Sequence, residues 1–336
     1  MQRTAGPCAA RSTSGSPGSP TSCPAPPLTR PRSSPRRSHG GQLPGWAPIS
    51  KTPDDRQPPK PRAAAFIATK EHRRFQEFAC AVRRHRYIGL CYGAAGVGKT
   101  LSARRYARWD LAEPLLLTWG PREDSDAKAY AALASARTVF YTPTVGGTLR
   151  ELREELKLLT SRADICIDEH LRTRRPGSSS RPGPHRSSRP GHIELLIIDE
   201  AERLSATALE YLRDQFDRAG TGLVLIGMPG IEKRMARYPQ LYSRVGFAHH
   251  YRPLQGDELS FVLTRHWRHL GLALDNADFT DSQAIAAIAR ITGGNFRLLH
   301  RLFVQIERIL RINDLTVITS DVVEAARSTL VIGDAT

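Results

Sequence analysis

Residues 87–100 read Tyr87-Ile-Gly-Leu-Cys-Tyr-Gly-Ala-Ala-Gly-Val-Gly-Lys-Thr100, and this stretch decides the fold. Its first six residues are a short apolar run ended by a glycine, the pattern of a buried strand. Gly93, Ala94, Ala95, Gly96, Val97 and Gly98 follow as a loop, and Lys99, Thr100 and Leu101 open a helical segment that reaches Trp109. The GxxxxGKT spacing needs its glycines because backbone N–H groups must turn inward, where the next helix adds the positive end of its dipole. Such a cradle, residues 93–101 here, fits the phosphates of a nucleoside triphosphate. Lys99 is directed to the β and γ phosphates and the Thr100 hydroxyl to a magnesium ion. ATP and Mg2+ are therefore the expected ligands.

Downstream, Ile193-Glu-Leu-Leu-Ile-Ile198 is the most strand-like run of the chain and ends in Asp199-Glu200. Acids at the C-terminal end of a strand lie where α/β proteins place their ligands. Asp199 is expected to hold magnesium and Glu200 to polarise the water that attacks the γ-phosphate. Alternatively, the pair caps the following helix and faces its dipole. Glu202 has no matching role and reads as a solvated side chain. Further strands are expected at 115–119, 138–141 and 222–227, and helices at 69–86, 149–159, 201–218 and 231–238. Alternating strands and helices imply right-handed crossovers and an α/β, three-layer architecture around a parallel sheet. Beyond Pro253 the strand signal fades, and 257–270, 281–291, 295–312 and 320–329 read as helices. Leu299, Leu302, Phe303, Ile306 and Leu310 form one apolar stripe there.

The expected organisation is thus a Pro/Ser/Arg-rich extension (1–62), an α/β core (63–252) and a small helical lid domain (253–332). The segment 171–191 breaks all periodicity and reads as a disordered loop within the core. Charge follows the same division. Residues 1–62 carry 10 Lys/Arg and 2 Asp/Glu, and 161–192 carry 7 Arg and 3 acids. The remaining residues hold 32 basic and 28 acidic side chains, so the net +16 describes two polar segments more than the folded body. A basic tail binds nucleic acid through counterion release or is simply solvated. Five cysteines, at 8, 23, 80, 91 and 166, show neither CxxC nor metal-ligand spacing, which suits reduced thiols. No apolar run approaches the ~20 residues needed to span a bilayer. Neither a secretory h-region nor an amphipathic transit helix is discernible, and a cytoplasmic protein without membrane contact is expected.

Two arginines of the second half matter to a phosphate site. Arg244 lies in Tyr242-Ser-Arg-Val-Gly246 and Arg297 in Gly293-Gly-Asn-Phe-Arg297. Spacing alone leaves both as surface charges. The order of motifs GAAGVGKT, LLIIDE, LVLIGMPG, YSRVG and GGNFRLL, however, resembles the AAA+ ATPases, P-loop NTPases whose α/β core is followed by a helical lid. More narrowly, IIDEAERLSATALEYLRDQFDRAGTGLVLIGMPG and RYPQLYSRVGF are similar to the transposition-associated group that includes TniB, TnsC and MuB. The resemblance covers about 63–332. It implies that Arg244 is an arginine finger acting on ATP held by a neighbouring subunit. Arg297 becomes the second sensor, joining the lid to the γ-phosphate in the same subunit. Thr69 falls where such proteins line the adenine pocket. One departure stands out: the first sensor, a polar residue at the end of the fourth strand, is replaced by Met228. A thioether is a poor partner for water, which suits slow turnover.

The function so implied is an ATP-hydrolysing regulator that forms a homo-oligomer on double-stranded DNA, sequence-tolerantly, and recruits or activates a transposase. An ATPase with a protein partner only, in secretion or signalling, and a barely hydrolysing scaffold are the alternatives.

Overall fold

In the computed structural model, residues 66–174, 191–275 and 277–330 are described, all within one compact unit, Ala64–Thr336. The expectations for 1–62, and for most of 171–191, lie outside the described residues.

Helix α1 (Lys70–His85) begins where the Thr69 hydroxyl accepts the His72 N–H and buries Phe75, Phe78, Ala79 and Val82. Strand β1 (Ile88–Tyr92) follows and leads through the glycine loop into α2 (Lys99–Tyr106). The strand expected at 115–119 is instead the end of helix α3 (Trp109–Thr118). Its buried residues Trp109, Ala112 and Leu116 recur at helical spacing, whereas Leu117 is 64% exposed. A run of four or five apolar residues does not distinguish a strand from the end of a helix. Helix α4 (Ala127–Ala136) was not expected; its six alanines in ten residues favour helix by propensity alone.

Strand β2 (Thr138–Tyr141) is fully buried. Helix α5 (Leu149–Thr173) starts at a capping box in which Thr148 and Glu151 satisfy each other's backbone N–H groups. It continues far beyond the expected 149–159 and takes in the first residues of the segment read as a loop. Strand β3 (Leu195–Ile198) ends at the paired acids. The single helix expected at 201–218 is divided into a 3-10 turn (Ala201–Arg203) and helix α6 (Ala206–Ala219). The division falls at Ser205, whose hydroxyl caps α6 by accepting the Ala208 N–H. Strand β4 (Gly222–Gly227) is buried throughout. Two short helices, α7 (Ile231–Met235) and α8 (Pro239–Tyr242), precede β5 (Val245–His250), a strand not foreseen from its half-exposed residues.

The five strands form one parallel sheet in the order β2-β3-β4-β1-β5. Tyr141 pairs with Ile198, Ile198 with Leu225, and Tyr92 with Gly227. The residues that follow β1, β3 and β4 therefore emerge together at the C-terminal edge of the sheet. Helices α9 (Gly256–His269), α10 (Phe279–Thr292), α11 (Phe296–Ile312) and α12 (Ser320–Ser328) complete the chain. Two hydrophobic clusters result: the last buried member of the first is Tyr251, and the first of the second is Leu254. Trp267, Leu299, Leu302, Phe303 and Ile306 are among the buried members of the second.

Candidate nucleotide site

The loop between β1 and α2 depends on glycine where φ is positive, at Gly96 (+79°) and Gly98 (+112°). At Gly96 a methyl group would also lie 2.6 Å from Asn295 Oδ1 and 2.8 Å from the Arg297 Cβ, so α11 closes directly on the loop. The Arg297 N–H donates to the Gly96 carbonyl at 3.1 Å, and Asn295 Nδ2 donates to the Ala95 carbonyl at 2.6 Å. Asn295 Oδ1 meanwhile caps α11 by accepting the N–H groups of Arg297 and Leu298. Arg297 is thereby fixed beside the loop. Asn295 was not singled out from the sequence, although Gly-Gly-Asn before an apolar run is a helix-start signal.

Lys99 is 9% exposed, and its Nζ donates to the carbonyls of Gly93 at 2.6 Å and Ala94 at 2.9 Å. Burial pushes its pKa down, while negative charge at Asp199, Glu202 and Glu200 opposes the shift. The Thr100 hydroxyl donates to Asp199 Oδ2 at 2.7 Å, which brings together the two oxygens read as magnesium ligands. Asp199 sits at the end of β3, its N–H bonded to the Tyr141 carbonyl. Burial raises its pKa, and the Thr100 hydrogen bond works the other way. Among the described residues no group of three or more His, Cys, Asp or Glu side chains could hold a metal. One hydroxyl and one carboxylate nevertheless fit Mg2+, which takes hard oxygen ligands and completes its shell with phosphates and water.

Glu200 turns the chain out of β3 in a left-handed conformation (φ 49°, ψ 45°). Its side chain is 41% exposed and lies 3.8 Å from Arg203 Nη2. The expectation of a solvated Glu202 is incorrect. Its Oε2 is buried without a hydrogen-bond partner among the described residues, and a methyl group on Gly227 would lie 2.7 Å from it. The 3-10 turn, invisible to helical periodicity, directs this carboxyl inward. Met228 stands immediately after β4, 39% exposed, its carbonyl accepting the Ile231 N–H.

Arg244 is not brought to the loop. Its Nε donates to Asp217 Oδ1 of α6 at 2.6 Å, and its Nη1 bonds the Gln240 carbonyl and approaches Ser243 Oγ. Asp217 also receives Arg213 at 2.7 Å. On the other flank, a buried chain links His72 Nδ1 to Ser102 Oγ (3.0 Å) and Ser102 to the Tyr251 hydroxyl (2.8 Å). Burial and the nearby Arg105 hold His72 below the ordinary histidine range, which favours its neutral form. Thr69 caps α1 beside it, and the first N–H groups of α1 donate to Glu258 of α9. This network was not legible in the sequence, because its members are 30 and 149 residues apart.

A family model described as an AAA domain matches residues 82–235. A potential ATP-binding protein of Staphylococcus aureus is 44% identical over 268 residues, covering 80% of this chain and 97% of that protein. The Mu-like prophage FluMu DNA transposition protein B of Haemophilus influenzae is 28% identical over 250 residues, covering 72% of each. Among solved structures, the Thermotoga maritima RuvB Holliday junction branch migration motor aligns with a TM-score of 0.46 at 17% identity. That alignment covers 79% of this chain and 70% of the other.

Proposed function

Because the chain belongs to the AAA-domain family of ATP-binding proteins, we propose that it is a magnesium-dependent AAA+ ATPase that assembles on double-stranded DNA and recruits or activates a transposase. The observation that carries the ATPase reading is the junction of Lys99, Thr100 and Asp199 at one sheet edge, with α11 closed on the loop at Gly96. The transposition reading is supported by the similarity to a DNA transposition protein B.

In this reading the loop N–H groups and Lys99 hold the triphosphate, and Lys99 exchanges its carbonyl partners for β and γ oxygens. Magnesium, when bound through Thr100 and Asp199, neutralises phosphate charge. Glu200 orients and polarises the attacking water, and its partial exposure leaves room for that water. Arg297, fixed by the Gly96 contact, faces the γ-phosphate of its own subunit. Thr69 and His72 border the adenine side. Arg244 acts on the ATP of a neighbouring subunit, for which it must leave Asp217. Turnover is slow, since Met228 offers no side-chain hydrogen bond to the water.

The trans role of Arg244 has a direct test. Arg244→Ala is expected to bind ATP as the parent does, to lose hydrolysis by about 10³-fold and to assemble more weakly. Mixed with Lys99→Ala subunits, it should regain activity, because each variant supplies what the other lacks. Mixtures no more active than their components count against action in trans.

DNA-dependent assembly is tested by light scattering and DNA retention with ATP or ADP across a salt titration. Larger assemblies are expected with ATP and DNA together. If only three phosphates are neutralised per binding unit, affinity should fall roughly fortyfold between 50 and 200 mM salt. Equal oligomer size and equal ATPase rate with and without DNA would overturn the reading and leave an ATPase whose partner is protein.

A further inference from the structure

We infer that Glu202 is a positioning residue for Glu200, supplying at the end of β4 the polar contact that the strand lacks because Met228 follows it. The inference rests on the ATPase reading above. Four observations support it.

First, the backbone around Glu202 is pinned. Arg234 of α7 donates from Nη1 to the Glu202 carbonyl at 2.7 Å and from Nη2 to the Leu204 carbonyl. The 3-10 turn between the paired acids and α6 is thus tied to the element that follows β4. Second, the side chain is directed inward. Oε2 is buried with no hydrogen-bond partner among the described residues, in space that exists because residue 227 has no side chain. Third, among the described residues no cation is paired with this carboxyl. The backbone N–H groups of Glu202 and Met228 face it, as does the Glu200 carboxyl, and Lys99 lies within its electrostatic reach. Fourth, burial raises the proton affinity of Glu202; its own backbone N–H opposes the shift and the neighbouring Glu200 adds to it, with a net rise. It can therefore meet Glu200 as a hydrogen-bond donor where two ionised carboxylates would repel.

A buried carboxyl without a cation is costly unless its hydrogen bonds are made. Glu202 can make them on two sides: it accepts from the Met228 N–H and donates to Glu200. Glu200 itself has a left-handed backbone turn and a long contact with Arg203. A second carboxyl behind it would restrict its rotamers and keep the oxygen that faces water in one place. Glutamine has the same two-sided capacity, with a carbonyl for the Met228 N–H and an amide for Glu200. Alanine has neither.

The test is steady-state ATP hydrolysis by the full chain, with the KM for ATP and the thermal midpoint measured in parallel. Glu202→Ala is expected to lower kcat by between about tenfold and a hundredfold, because a misplaced catalytic group loses that much. KM and the midpoint should stay close to the parent. Glu202→Gln should retain most of the parental kcat. In the Glu202→Ala background, Met228→Asn should recover part of the loss by placing a polar group on the strand itself. Parental kcat in Glu202→Ala, or equal losses in the Ala and Gln variants, overturns the inference. A loss of kcat matched by a fall in thermal midpoint also overturns it, since the role is then structural. Should Glu202→Ala fail to fold, Glu202→Met, of similar length and without a hydrogen-bonding group at the tip, carries the same outcomes. Glu200→Gln is the control. If it abolishes parental hydrolysis, the ATPase reading stands however Glu202 behaves; a parent without turnover overturns both.

Discussion

Lys99→Ala should abolish detectable ATP hydrolysis and weaken ATP binding by at least about a hundredfold. The Lys99 ammonium is almost buried and already donates to two loop carbonyls, so it is fixed for phosphate oxygens with little rotamer entropy left to lose. Each charge-assisted hydrogen bond contributes about 1.5–3 kcal/mol, and two of them account for a hundredfold or more. The free protein should not suffer in proportion. Burial disfavours the ammonium, so its removal also removes a desolvation cost. Thermal unfolding with and without Mg2+ and ATP separates these effects. A saturating ligand stabilises the parent by about 2.7 kcal/mol at a hundredfold excess over Kd. The variant should show a near-parental midpoint alone and almost no shift with nucleotide. A parental shift in Lys99→Ala would mean that the loop does not hold the triphosphate through this residue.

Glu200→Gln should leave ATP binding intact and lower turnover by about 10²–10⁴-fold, the range for loss of a general base. Glutamine keeps the length and shape of the side chain. The left-handed backbone at Glu200 is no harder for glutamine to adopt, and the contact with Arg203 is long and half-exposed. Folding should therefore be unaffected, and the loss should fall on kcat alone. Single-turnover hydrolysis with excess enzyme reads the chemical step directly. Unchanged turnover would show that Glu200 is not the base and would favour the barely hydrolysing scaffold. With turnover blocked, ATP-dependent assemblies should persist, so size measurements on this variant also report whether hydrolysis is what dissolves them.

Much of the fold was legible in the sequence because its signals are local. Strand β1, the loop and α2 are contiguous, and the loop's glycines are required by its own backbone angles. Strands β3 and β4 are buried on both faces, as strands of a covered parallel sheet are, so they read as unbroken apolar runs. The stripe of α11 and the α1 helix were readable from period alone. Misreadings arose where a local pattern has two structural solutions. Leu115, Leu116 and Leu117 suit a strand as well as a helix, and only the packing of Trp109, Ala112 and Leu116 into the core selects the helix. The edge strand β5, half-exposed along its length, carries too weak an apolar pattern to stand out before it pairs with β1.

By itself, the sequence determined the local structure of the loop and the place of Asp199-Glu200 at a strand end, because backbone turn and strand end lie within a few consecutive residues. Tertiary structure alone decided which side chains meet there. The Thr100–Asp199 hydrogen bond joins residues 99 apart, the Asn295–Ala95 contact joins residues 200 apart, and Asp217 engages Arg244 across 27. Whether Glu202 faces solvent or the end of β4 depends on a single 3-10 turn and a glycine 25 residues later. Periodicity records which face of an element is apolar, and nothing in it records the partner that face or side chain will meet once the chain has closed on itself.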